Sequence, residues 1–151
     1  MGLEPIIIDL RQYFNSNKNL RKDISEFNNI FVTGGNVFLL RKAYLQSGFD
    51  KYLLDNKGNE ALLYAGYSAG VCVLGPTLKG LHFVDDAYKK VNSYTDKVLW
   101  DGLGLLDYCI APHYQSDHPE SDLIDKTVEF YINNEIKYKT LKDGEVIIKE
   151  K

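Results

Sequence analysis

The 151-residue sequence predicts an α/β fold on a mainly parallel sheet, and three of its features carry that reading. Short β-branched runs recur that are apolar almost without interruption, as strands covered on both faces require. Segments with apolar residues at helical spacing lie between them, the alternation that winds helices around a parallel sheet. Glycine turns directly follow two of the runs, giving the order strand, turn, helix.

Each element follows from its residues. Pro5-Ile6-Ile7-Ile8-Asp9-Leu10 reads as the first strand, and after the polar Asn15–Asn19 segment Leu20–Phe27 reads as a short connecting helix. Asn29–Thr33 is a second buried-type strand, ending at Gly34-Gly35-Asn36 before the amphipathic stretch Val37–Leu45. A helix over Phe49–Asn56 precedes the strand Ala61–Ala65, which runs into Gly66-Tyr67-Ser68-Ala69-Gly70 and then an apolar helical segment from Val71. Residues 75–102 hold Pro76, Gly80, the pair Asp85 and Asp86 and several lysines, and read as a loop-rich excursion with at most one short strand. Leu105–Ala111 is a strand ending at Pro112-His113, and Ser121–Asn133 is a helix that Ser121 or Asp122 could cap. The C-terminal residues read as a hairpin: Tyr138–Leu141, the turn Lys142-Asp143-Gly144, and Glu145–Lys149.

Composition bounds the function. Hydrophobic residues at 44% and charged residues at 26% describe an ordinary globular chain, and one domain over residues 1–151 is expected. Eighteen Lys and Arg against 21 Asp and Glu give a net charge of -3, which provides no global positive field for nucleic acid or an anionic membrane. No apolar run approaches the ~20 residues of a spanning helix, so no membrane partner is expected. Cys72 and Cys109 stand in apolar surroundings far apart in sequence, as buried thiols of a reducing compartment do, which points to the cytoplasm.

Gly66-Tyr67-Ser68-Ala69-Gly70 is a G-x-S-x-G sequence placed directly after a buried strand and before a helix. A sharp turn there would hold the Ser68 hydroxyl out at the C-terminal edge of the sheet, tolerated because small residues flank it. Of the three histidines, His82 and His118 lie in polar or loop-like segments, whereas His113 stands at a strand end on the same edge and is the candidate base. The amide of Ala69 and those of Gly34 and Gly35 are candidate oxyanion donors, since glycine lets a backbone approach closely. The orienting acid stays open among Asp143, Asp85 and Asp86. No set of Cys, His and carboxylates has a recognised zinc spacing, so no metal and no cofactor is expected.

Taken in order, Val32-Thr33-Gly34-Gly35-Asn36-Val37, Gly66-Tyr67-Ser68-Ala69-Gly70, Gly75-Pro76-Thr77, Gly104-Leu105-Leu106 leading to Pro112-His113-Tyr114, and Leu141-Lys142-Asp143-Gly144 resemble the dipeptidase E (aspartyl dipeptidase) group of serine peptidases, with cyanophycinase as a more distant relative. The resemblance implies a flavodoxin-like three-layer sandwich akin to class I glutamine amidotransferases. It implies Ser68 as nucleophile, His113 as general base, oxyanion donors from Gly35 and Ala69, and a short peptide as substrate. The third triad member falls on Asp143 in preference to Asp86. Against the family the chain lacks N-terminal strand-helix units, which would leave apolar faces uncovered and favour a homo-oligomer. Where the family places an arginine after His113, Glu120–Lys126 contains none, so a preference for N-terminal aspartate is not implied. Two other readings remain: a catalytically inactive, truncated homologue acting as a binding domain, and an α/β-hydrolase esterase, whose acid would precede the histidine and fall on Asp86.

Overall fold

In the computed structural model, which describes residues 4–150, the buried-type runs pair as parallel strands. β1 (Asn29–Val32) lies beside β2 (Leu63–Gly66) with Phe31 opposite Ala65 and Val32 opposite Gly66. β3 (Cys109–Ala111) lies beside β4 (Tyr138–Thr140) with Cys109 opposite Tyr138. The result is a mixed α/β fold, but the parallel pairing is divided between two two-stranded sheets rather than gathered into one. A cavity of about 270 Å³ is lined by Gly66 of β2 and Ile110 of β3 among other residues.

The helices are α1 (Leu20–Ile24), α2 (Val37–Ser47), α3 (Phe49–Asp55), α4 (Ala69–Cys72) and α5 (Ser121–Asn133). α2 starts where Asn36 accepts a hydrogen bond from the Leu39 amide at 2.9 Å, a cap worth about 1 kcal/mol. It stops at Gly48, whose φ of 76° turns the chain straight into α3. α1 to α4 bury Ile24, Phe38, Tyr44, Phe49 and Val73 around β1 and β2. A second cluster of Cys109, Ala111, Ile124, Val128 and Tyr131 packs α5 onto β3.

Four expectations are corrected. Residues 5–10 form no strand: Ile6 and Ile7 are exposed, no strand pairs with them, and Leu10–Tyr13 is a 3-10 turn that Asp9 caps. β-branched character favours extended backbone, but a strand also needs a neighbour to complete its ladder. The C-terminal hairpin is absent, because β4 pairs in parallel with β3 while Glu145–Lys149 runs on without strand pairing, Val146 and Ile148 exposed. The N-cap of α5 is Glu120, and neither Ser121 nor Asp122 supplies a capping side chain; the Ser121 hydroxyl instead accepts from the Ser116 amide. Leu105–Ala111 contributes only its last three residues as strand, since Leu105 and Leu106 donate their amides to the Leu74 carbonyl.

The excursion over 75–102 holds a single bridge, Thr77 to Asp101, and a 3-10 turn at Leu81–Phe83. The outward face of the β1–β2 sheet carries Phe31 and Leu63, 66% and 59% exposed. No helix among the described residues is long and apolar enough to cross a membrane.

Candidate active site

Ser68 occupies the turn between β2 and α4 with φ 50° and ψ -125°, a conformation that costs a non-glycine residue about 1–3 kcal/mol. Close backbone packing imposes it. A Cβ built on Gly66 would stand 2.7 Å from the Val32 carbonyl oxygen, and one on Gly70 only 2.4 Å from the same atom. The end of β1 therefore presses into the turn from one side, and only glycine at both flanks admits it. From below, the Tyr64 hydroxyl donates to the Gly70 carbonyl at 2.6 Å and accepts from the Tyr44 hydroxyl at 2.8 Å. Burial pushes both phenols above their ordinary range, so the relay stays neutral and directed at the turn.

The Gly34 backbone lies against the serine: a Cβ there would come within 3.1 Å of the Ser68 Cβ. Gly35 has φ 129° and open space beside it. No hydrogen bond engages the amides of Gly34, Gly35 or Ala69 among the described residues. α4 is a single turn, so its dipole adds little to what those amides offer.

His113 follows β3 with φ 59°, a second strained residue at a strand end. Its Nδ1 lies 2.6 Å from Asp143 Oδ1. The carboxylate accepts from Nδ1, which places the lone pair of the neutral imidazole on Nε2. The Asp143 amide donates to the Ser116 hydroxyl at 2.8 Å, and that hydroxyl donates onward to the Tyr114 carbonyl. The turn is closed by the Lys142 amide donating to the Glu145 carboxylate at 2.9 Å. The imidazole of His118 stacks on that of His113, centroids 3.7 Å apart and planes 10° from parallel.

Ser68, His113 and Asp143 all line the 270 Å³ cavity, together with Val71, Leu106 and Tyr108. No side-chain hydrogen bond of Ser68 is present among the described residues.

The other candidate acids are engaged elsewhere. Asp85 accepts from the Val37 amide at 2.8 Å, and Asp86 accepts from the Tyr88 amide at 2.9 Å while its carbonyl accepts from Asn36. The Asp85 carboxylate and the Asp86 carbonyl tie the start of α2 and Asn36 to the excursion, and no hydrogen bond joins either carboxylate to His113 among the described residues. His82 accepts from the Gly80 amide and packs among Phe83, Trp100 and Phe130, a structural role. Cys72 and Cys109 are free, buried thiols, each donating weakly to a carbonyl and pushed up by burial.

Sequence reasoning set His118 aside as a histidine of a polar, loop-like segment and passed over Ser116 and Glu120. Ser116 reaches Asp143 across 27 residues, which no local pattern signals. His118 and Glu120 come together with His113 so that one ligand atom from each lies within 4.8 Å of the others. Their spacing belongs to no helical or familiar zinc pattern, because the chain between them is a loop.

Comparison with known proteins adds the context. A family model described as Peptidase family S51 matches residues 1–151. Among curated relatives, the uncharacterized peptidase Lin0382 of Listeria innocua is 32% identical over 119 residues, covering 79% of this chain and 54% of its own. The uncharacterized peptidase Lmo0363 of Listeria monocytogenes is 33% identical over 102 residues, covering 68% and 47%. The chain thus spans about half the length of the curated relatives it matches. A solved structure of a Listeria monocytogenes EGD-e protein described as a candidate peptidase E superposes with a TM-score of 0.67 at 28% identity, over 81% of this chain and 55% of that one. That likeness agrees with a flavodoxin-like α/β arrangement.

Proposed function

We propose, proceeding from the fact that this chain belongs to peptidase family S51, that it hydrolyses short peptides with Ser68 as nucleophile, His113 as general base and Asp143 as the orienting carboxylate. The observation that carries the reading is the 2.6 Å contact between His113 Nδ1 and Asp143, at the rim of the cavity that Ser68 lines. Fixing the proton on Nδ1 leaves Nε2 free to take the serine proton, as a general base must.

In this mechanism the Ser68 oxygen bonds to the substrate carbonyl carbon while its proton passes to His113 Nε2. The carbonyl oxygen becomes an oxyanion, and the unengaged amides of Ala69 and of Gly34 or Gly35 can donate to it. The intermediate collapses with cleavage of the carbon–nitrogen bond, and Nε2 returns its proton to the departing amine. Water then repeats the sequence on the acyl-serine, restoring Ser68. Asp143 stabilises the imidazolium at each stage and keeps its carboxylate charge. These steps need no cofactor.

A fluorophosphonate probe tests the reading, because it reacts only with an activated serine. Mass spectrometry is expected to show one adduct, on Ser68, in the folded protein and none in Ser68→Ala. A folded wild-type chain that takes no label would overturn the proposal in favour of an inactive homologue. Labelled protein would next be assayed against a dipeptide panel, with no advantage expected for N-terminal aspartate.

A further inference from the structure

We propose that His113, His118 and Glu120 form a binding site for one divalent cation of zinc's chemistry, and that its occupation takes the lone pair of His113 out of use. One ligand atom from each residue lies within 4.8 Å of the other two. Donors on a tetrahedral zinc stand roughly 3.4 Å apart, given metal–ligand bonds near 2.0–2.1 Å. The cluster therefore has about 1.4 Å at most to close, and the two imidazoles, stacked with planes 10° apart, must also turn out of that stack so that their in-plane lone pairs converge on the ion.

The hydrogen-bond partners favour ligation. Asp143 accepts from Nδ1 of His113, so in the neutral imidazole the lone pair lies on Nε2, on the side of the ring away from the carboxylate. A carboxylate behind a histidine is also the outer arrangement that orients and strengthens imidazole ligands to zinc. His118 Nδ1 accepts a hydrogen bond from the Glu120 amide, so that nitrogen too bears a lone pair. The bond is 3.2 Å long, at the outer edge of the useful range, and little is lost if the ring turns to exchange it for a metal. Glu120 supplies the charged third ligand. Two imidazoles with one carboxylate select zinc over magnesium or calcium, which prefer oxygen donors throughout.

Binding does not depend on the peptidase reading; its consequence rests on it. A lone pair of Nε2 donated to a metal cannot accept the Ser68 proton, so the cation acts as an inhibitor that competes with the base. No covalent bond breaks, and the displaced species are metal-bound waters.

Isothermal titration of the full, metal-stripped chain with zinc chloride is expected to show one site per molecule, with magnesium chloride giving no heat. His118→Ala and Glu120→Gln should each weaken the zinc affinity at least tenfold, on the order of the loss seen when a metal's supporting groups are removed. Fluorophosphonate labelling of Ser68 should slow in zinc for the wild type and proceed at the zinc-free rate in both variants. Absence of zinc binding, or binding unchanged in both variants, would overturn the site. Zinc binding that both variants weaken, in a protein whose Ser68 never labels, would uphold the site and remove the peptidase mechanism instead.

Discussion

Ser68 and His113 stand at equivalent places, each after a parallel strand and each at positive φ, yet they are held by opposite means. The serine turn is clamped by backbone against backbone, with the Val32 carbonyl wedged between Gly66 and Gly70 and a buried pair of tyrosine hydroxyls beneath. The histidine is held by a side-chain hydrogen bond to a turn, and the Asp143 side chain is 48% exposed. One half is written into steric contact that cannot relax. The other is assembled by polar contacts between segments 27 to 30 residues apart, which can be changed without disturbing the core.

The two halves should therefore fail differently. Asp143→Asn is the largest expected effect and falls on activity alone: a carboxamide no longer stabilises the imidazolium or fixes its tautomer, which costs about 10⁴-fold in kcat, or ~5 kcal/mol. The check pairs the fluorophosphonate labelling rate of Ser68 with the urea midpoint. A labelling rate within tenfold of wild type would show that Asp143 does not serve His113. Gly70→Ala is the next largest and falls on the fold, because a new Cβ 2.4 Å from a backbone oxygen can be relieved only by parting β1 from β2. Overpacking of this kind costs about 3 kcal/mol, the upper end of its usual range, read as a lowered urea midpoint. Unchanged stability would mean that the serine turn is held less tightly than its backbone contacts indicate.

The same contrast explains what could be read from the sequence. The glycines around Ser68 stand two residues to either side of it, so the turn was legible as a motif, although the Val32 carbonyl that requires them comes from another strand. α2, α3 and α5 were legible because apolar spacing is periodic, and the observed Val37–Ser47, Phe49–Asp55 and Ser121–Asn133 lie close to the expected spans. The partner of His113 was not legible from the residues: Asp143, Asp85 and Asp86 are all loop carboxylates, and what separates them is which backbone amide or ring each meets in three dimensions. Strand pairing failed for the same reason at both ends of the chain. Ile6–Ile8 and Val146–Ile148 have strand-forming side chains, but a ladder is a relation between two segments, and periodicity in one says nothing of the other.

Asp85 offers the finest test of the comparison, because it buttresses the Gly34-Gly35-Asn36 loop on the serine side yet does so by a polar contact. Burial raises its pKa above the ordinary 3.8, and the hydrogen bond from the Val37 amide offsets this only in part. A carboxylic acid whose folded pKa exceeds its unfolded value binds more protons folded than unfolded. Its contribution to stability is therefore fully present below the unfolded value and is lost as pH rises through the folded one. Wild-type stability should carry a small downward component as pH climbs from about 4 through the raised pKa of Asp85. Asp85→Asn keeps an oxygen to accept from Val37 and has no proton to lose, so urea midpoints measured across that interval should lack the component. If the two proteins lose stability in parallel, the carboxylate is ionised as freely in the folded state as in the unfolded one. The hydrogen bond from the Val37 amide would then offset the cost of burying the carboxylate in full rather than in part.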